Sequence, residues 1–372
     1  MRPPGAHEDL VIAALKEPAR VHAWDAARWS LLFRQARAAG LLGRIAGLLD
    51  DKAAKADDRA PGDAAMQRHA DGARRVTRAQ QAEIRREVRF LQRALEPAGV
   101  PVLLLKGAAY VMAGLPAAEG RIFSDIDILV RKSALADVES SLMLAGWMTT
   151  HHNAYDQRYY REWMHELPPM EHVHRHTVLD VHHTILPETG RLHPDAAAFF
   201  ADAVALPGLA DVKVLCPADM VLHSMTHLFM NDDMNHALRD LSDLDLLLRR
   251  FGPEAAFWPE LVRRARMHRL QRPLYYGLRY TARLLGTPVP EATQSAIAPD
   301  GPTAPLRAFM DAIWMRVLRT SHPSATLPGR TAAIFALYLR GHWLRMPPLL
   351  LMRHLAIKAL RLNEREADRA AH

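Results

Sequence analysis

Two segments decide the fold: Val102-Leu103-Leu104-Leu105-Lys106-Gly107-Ala108, and Ser124-Asp125-Ile126-Asp127-Ile128-Leu129-Val130 a short loop later. The first is an apolar strand that stops in a Lys-Gly turn and passes into a helix from Gly107 to about Ala113. The second is a strand, expected over Asp125–Val130, in which aspartate and isoleucine alternate. Successive side chains on a strand point to opposite faces, so Asp125 and Asp127 point one way and Ile126 and Ile128 enter the core. Two carboxylates on one face repel unless a cation lies between them. Hard divalent ions such as Mg²⁺ are the usual partners of such a pair. A glycine turn nearby can bring backbone N–H groups to a phosphate. Carboxylates for metal beside a turn for phosphate outline metal-assisted chemistry at phosphorus.

A third carboxylate is supplied by Thr177-Val178-Leu179-Asp180-Val181-His182. Alternation puts Asp180 and His182 on one face and Leu179 and Val181 on the other. An aspartate inside an apolar strand is costly to bury unpaired, which points to a metal or a cation opposite it. His182 reads as an outer ligand, a hydrogen-bond partner of Asp180 or a plain polar strand residue.

The pattern Leu105-Lys106-Gly107, then Arg121, then Ser124-Asp125-Ile126-Asp127-Ile128-Leu129-Val130 resembles the nucleotidyltransferase superfamily of the DNA polymerase β type. Within it, the chain is most similar to a bacterial family of uncharacterised nucleotidyltransferases. It is also similar to nucleotidyltransferase toxins with a Lys-Gly-Gly turn and a Ser-x-Asp-Ile-Asp strand. The likeness extends to Trp24–Leu49, Leu179–His182, Pro217–His227 and Leu238–Leu244. It implies that Asp125 and Asp127 hold two Mg²⁺ or Mn²⁺ ions and that Asp180, on a neighbouring strand, completes the site of the ion that activates the acceptor. Lys106, Gly107 and Ala108 would cradle the triphosphate with help from Arg121, and Ser124 would orient the turn. The implied reaction moves a nucleoside monophosphate from an NTP, expected to be ATP, to a hydroxyl-type acceptor on RNA, protein or a small molecule, with release of pyrophosphate. Many members have serine or glycine after the turn glycine. Ala108 offers no hydroxyl, so a non-catalytic nucleotide-binding module is one alternative, and a toxin-like transferase acting on RNA or tRNA is another. Arg121 paired with Asp125 or Asp127, and Lys106 as a strand-end lysine with its head in water, are the plain structural readings.

At 372 residues the chain can build more than one core, and 49% hydrophobic with 24% charged residues is ordinary for a globular protein. A single cysteine, Cys216, excludes an internal disulfide and a cysteine-rich zinc site, which agrees with a cytoplasmic location. No signal-like apolar run follows Met1, and the apolar stretch 332–351 is broken by Arg340, His342, Arg345 and two prolines, which argues against membrane insertion. The net charge of +7 comes with arginine-rich helices at 263–283 and 340–361, which suit either solvated faces or a polyanion such as RNA.

The expected architecture is α+β: a small mixed β-sheet nucleotidyltransferase core at 76–210, an N-terminal helical region at 1–75 and a large C-terminal helical region at 211–372. A long helix should begin near Thr77 as N-cap and stop at Pro97 and Gly99. Residues 51–75 are expected to be a loop or an exposed helix. Ser133 should cap a helix that ends at Gly146, and a hairpin should turn near His176. Residues 151–183 are rich in histidine. His172 and His174 alternate on one strand and could meet His182, which raises a zinc site as a rival to the carboxylates. His223 and His227, four apart on a helix and followed by Asp240 and Asp243, form a second, weaker metal pattern.

Overall fold

The computed structural model describes residues 7–53, 64–150, 157, 160, 161, 163–231 and 233–345. The elements that bear on the site are the helices α1 (Leu10–Lys16), α2 (Ala26–Ala38), α3 (Leu42–Ala53) and α4 (Ala64–Leu95), then β1 (Val102–Leu104), α5 (Lys106–Met112), β2 (Ile126–Leu129), α6 (Leu135–Leu144) and β3 (Trp147–Thr149). They continue with β4 (Met170–His172), β5 (Val178–His182), α7 (Ala196–Ala201), β6 (Val204–Ala205) and β7 (Val212–Val214). From there the chain is helical: α8 (Pro217–Met230), α9 (Ala237–Phe251), α10 (Phe257–Met267), α11 (Gln271–Leu285), α12 (Glu291–Ile297), α13 (Ala304–Val317) and α14 (Arg330–Arg345).

The seven strands form one mixed sheet in the order β3-β4-β5-β2-β1-β7-β6. β1 and β2 are short and buried throughout, as their apolar composition requires. They pair antiparallel, Leu103 opposite Leu129 and Leu104 opposite Ile128. β5 lies on the other side of β2 and runs parallel to it, with Asp127 opposite Asp180. β4 and β5 make the expected hairpin, and His176 at its turn adopts a left-handed φ of +55°. β7 pairs parallel with β1 and carries β6 at the sheet edge. Neither of those two strands was expected, because Val204–Ala205 and Val212–Val214 are too short to show an alternation.

The helices depart from expectation in two places. Thr77 does not cap α4; it lies inside it, buried, with its hydroxyl donating to the Arg74 carbonyl at 3.1 Å. Seven of the twelve residues 64–75 are alanine or arginine, good helix formers, so the helix starts before the apolar stripe reaches the core. Ser133 does not cap α6 either. It sits in a 3₁₀ turn, Lys132–Ala134, and α6 follows with no side-chain cap bond. Gly146 ends α6 with φ +93°, as expected.

One apolar cluster runs without a break from Leu10 through the sheet to Leu337. α1 packs on α11, so the two helical ends of the chain meet. α8 is buried along nearly its whole length between α9, α10, α11 and the sheet side of α5. Among the described residues no helix is long and apolar enough to cross a membrane. His151, His152 and the basic stretch beyond Arg345 lie outside the described residues.

Candidate active site

β2 and β5 bring three aspartates together. Asp125 is the residue before β2, Asp127 is its second residue, and Asp180 faces Asp127 across the parallel pair. The Lys-Gly turn closes on the same place. Leu105 donates its backbone N–H to the Asp127 carbonyl at 2.9 Å, and Lys106 Nζ reaches Asp127 Oδ1 at 2.7 Å. Lys106 has φ +43°, a conformation costly for a residue with a side chain. His182 reaches Asp127 Oδ1 from the other side, Nε2 to oxygen 3.1 Å. Ser124 donates its hydroxyl to Asp125 Oδ1 at 3.1 Å.

The charges are uneven. Burial alone would raise the Asp127 carboxyl, but the Lys106 ammonium and the His182 hydrogen bond more than offset it and hold the group well below the usual range. Asp125 is pushed up, first by burial and then by the Asp127 charge, against the opposing pull of Lys106 and Ser124. Asp180 is pushed up to about 7, by burial and by the Asp127 and Glu166 carboxylates. Its Oδ1 is buried with no hydrogen-bond partner. The site thus holds more negative charge than Lys106 and His182 neutralise, and a buried carboxylate oxygen without a donor is what an added cation would satisfy. Asp125, Asp127 and Asp180 therefore fit a divalent ion by charge and donor type. Their oxygens do not draw together into a closed ligand set: among the described residues the one group of three metal-binding side chains with donor atoms within 4.8 Å of one another is His165, Glu166 and His182.

Arg121 is not aimed at the aspartates. Its guanidinium is buried, bonds Asp243 Oδ2 through Nε at 2.9 Å and lies over the Phe123 ring. Arg44 of α3 takes the other oxygen, Oδ1, at 2.7 Å. Asp243 is therefore the counter-ion of two buried arginines, whereas Asp240 pairs with the adjacent Arg239. Arg121 also explains the glycine of the turn. A Cβ on Gly107 would lie 2.6 Å from Arg121 Nη1 and 2.7 Å from the Phe123 ring. Ala108 is buried in the first turn of α5.

α8 forms a second wall. His223 and His227 both feel the Lys106 charge. Burial, then Lys106, lowers His223 to about 3 and His227 well below the imidazole range, so both are neutral. His227 Nδ1 stays 3.9 Å from Asp240 Oδ2, and Asp243 is occupied elsewhere, so these residues do not assemble the second metal pattern. The hairpin zinc set does not form either. His172 packs edge-on to Trp147 and accepts from Arg175, His174 is exposed, and neither joins His182. Glu166 and His165 escaped the sequence reading as site residues. Glu166 Oε2 lies 3.2 Å from His182 Nδ1, and the His165 ring lies against that of His182, centroids 5.2 Å apart. Their only sequence signal is the adjacent pair itself within a histidine-rich stretch.

Searches of curated proteins and of solved structures returned no significant match. A family model described as "uncharacterised nucleotidyltransferase" matches residues 25–286, from the second helix through the sheet and α8–α11. With most of its length, including all three aspartates and the Lys-Gly turn, inside that match, the chain belongs to this uncharacterised nucleotidyltransferase family.

Proposed function

We propose that the protein is a metal-dependent nucleotidyltransferase that moves a nucleoside monophosphate from an NTP, with ATP the expected donor, to a hydroxyl-type acceptor. The observation that carries this is the pairing of Asp127 with Asp180 on adjacent parallel strands beside the Lys106 turn, with one Asp180 oxygen left without a partner. The acceptor hydroxyl would give up its proton to water, its oxygen would form a bond to the α-phosphorus, the bond to the β-phosphate oxygen would break, and pyrophosphate would leave with the electron pair. Asp125 and Asp127 would hold divalent ions, and Asp180 would complete the site beside the attacking hydroxyl. Mg²⁺ or Mn²⁺, when bound, would neutralise the triphosphate and acidify that hydroxyl. Lys106 would hold Asp127 ionised and could turn to a phosphate once an ion takes its place. His182 would fix the Asp127 carboxylate by its hydrogen bond, and neutral His223 and His227 would close the α8 side without adding charge.

The C-terminal arginines give an RNA acceptor little support where they are described. Arg264 is bonded to Asp219 and Asp202, Arg279 and Arg283 to Asp311, and Arg249 to Asp245. A guanidinium already bonded to a carboxylate contributes little free positive charge to a phosphate backbone. The test is incubation of purified protein with each NTP labelled in the α-phosphate, Mg²⁺ or Mn²⁺, and cell extract that is then fractionated. Label in the RNA, protein or metabolite fraction identifies the acceptor class. Binding of nucleotide with no label in any fraction, in wild type and in Asp125→Asn alike, would favour the non-catalytic module instead.

A further inference from the structure

We propose that His165, Glu166 and His182 form a second metal site, for a borderline transition ion of the Zn²⁺ class, distinct from the aspartate site. The backbone holds the three together. Glu166 makes an antiparallel bridge to His182, and Leu167 donates its N–H to the Val181 carbonyl at 2.8 Å. Glu166 Oε2 lies 3.2 Å from His182 Nδ1 and 3.9 Å from His165 Nε2, and the donor atoms of all three residues fall within 4.8 Å of one another. Tetrahedral zinc bonds of 2.0–2.2 Å place neighbouring ligand atoms roughly 3.3 Å apart, so small side-chain movements would close the set. Two imidazoles and one carboxylate suit Zn²⁺, whereas Mg²⁺ seeks oxygen donors only.

Two further observations point to an ion. His165 Nε2, the nitrogen that faces Glu166, lies beyond hydrogen-bonding distance of its carboxylate. An imidazole nitrogen and a carboxylate oxygen held this near without a hydrogen bond between them leave space that a shared ion would fill. The nitrogen of His182 that faces away from the trio already contacts a carboxylate, Asp127 Oδ1 at 3.1 Å. A carboxylate behind a metal-bound histidine fixes its tautomer and orientation. With an ion on Nδ1, His182 is neutral and donates its Nε2–H to Asp127. The site therefore connects a transition metal to one of the proposed Mg²⁺ ligands through a single imidazole, and its three protein ligands leave a coordination position open. It does not depend on nucleotidyl transfer being the reaction.

The experiment uses the full chain without a histidine tag, stripped with chelator. Zn²⁺ affinity is measured by competition with a chromophoric chelator, and Co²⁺ substitution is followed by visible absorption. Stoichiometric Zn²⁺, Co²⁺ bands of four- or five-coordinate geometry and a Zn²⁺-dependent rise in melting temperature are expected for wild type. Glu166→Gln, which preserves shape, and His165→Ala are each expected to weaken Zn²⁺ at least about tenfold and to abolish the Co²⁺ bands. Asp125→Asn is expected to retain both. Substoichiometric Zn²⁺ in wild type, unchanged affinity in the folded Glu166→Gln protein, or loss of Zn²⁺ in Asp125→Asn would each overturn the proposal.

Discussion

Asp180 is the residue most out of balance. Its carboxyl stands at about 7 in the folded chain against an ordinary value of 3.8. Between those values the unfolded chain is ionised while the folded one keeps its proton, so stability falls as pH rises across that window and levels off above it. Asp180→Asn is therefore expected to raise the melting temperature of chelator-treated protein at about pH 8 and to leave it nearly unchanged at about pH 5. Thermal unfolding at the two pH values checks this, and an equal shift at both would show that Asp180 is not held protonated. Asp127 behaves oppositely. It is almost fully buried between Lys106 and His182, so Asp127→Asn is expected to cost about 1–3 kcal/mol in urea denaturation by removing the carboxylate that both bond, although Asp125 and Asp180 stay near the part-buried Lys106 ammonium. Asp125, pushed up by burial and by the Asp127 charge, has no ion-paired partner to abandon, and Asp125→Asn is expected to unfold at or above the wild-type denaturant midpoint.

At the scale of elements, α3, the loop before β2 and α9 are joined by Arg44, Arg121 and Asp243. Asp243→Ala would leave two buried guanidinium groups unpaired, and a loss of about 3–5 kcal/mol in denaturant unfolding is expected. Arg121 packs over Gly107, so the same buried ion triad supports the turn. Gly107→Ala, which forces a Cβ into Arg121 and Phe123, is expected to lower stability by about 1–3 kcal/mol by the same assay. These links define what was legible in the sequence. Alternation in Asp125–Val130 and Thr177–His182 placed the two strands and gave each aspartate its face, because a strand's period converts residue spacing directly into direction; that the two strands lie side by side was implied by the family resemblance and not by spacing. The partner of Arg121 was not legible, since Asp243 lies on a distant helix and nothing local distinguishes it from Asp240. Glu166 reaches His182 through tertiary pairing for the same reason. Thr77 and Ser133 misled because a capping residue type in a good helix-forming context does not by itself stop or start a helix.

Over the whole molecule, a small sheet sits within one apolar core shared by both helical ends, and α8 brings two neutral histidines to the sheet's acidic patch. The helical C-terminal half thus contributes a wall of the site, while several of its arginines are bonded to its own carboxylates. Membership of the nucleotidyltransferase family and the convergence of Asp125, Asp127 and Asp180 make transfer of the α-phosphoryl group the central claim. Its most direct measurement compares ATP labelled in the α-phosphate with ATP labelled in the γ-phosphate, using wild type and Asp125→Asn, with and without Mg²⁺. The account predicts Mg²⁺-dependent transfer of the α-label to an acceptor by wild type, the γ-label released in pyrophosphate, and no transfer by the folded Asp125→Asn protein. Transfer of the γ-label to the acceptor, or undiminished α-transfer by Asp125→Asn, would contradict it.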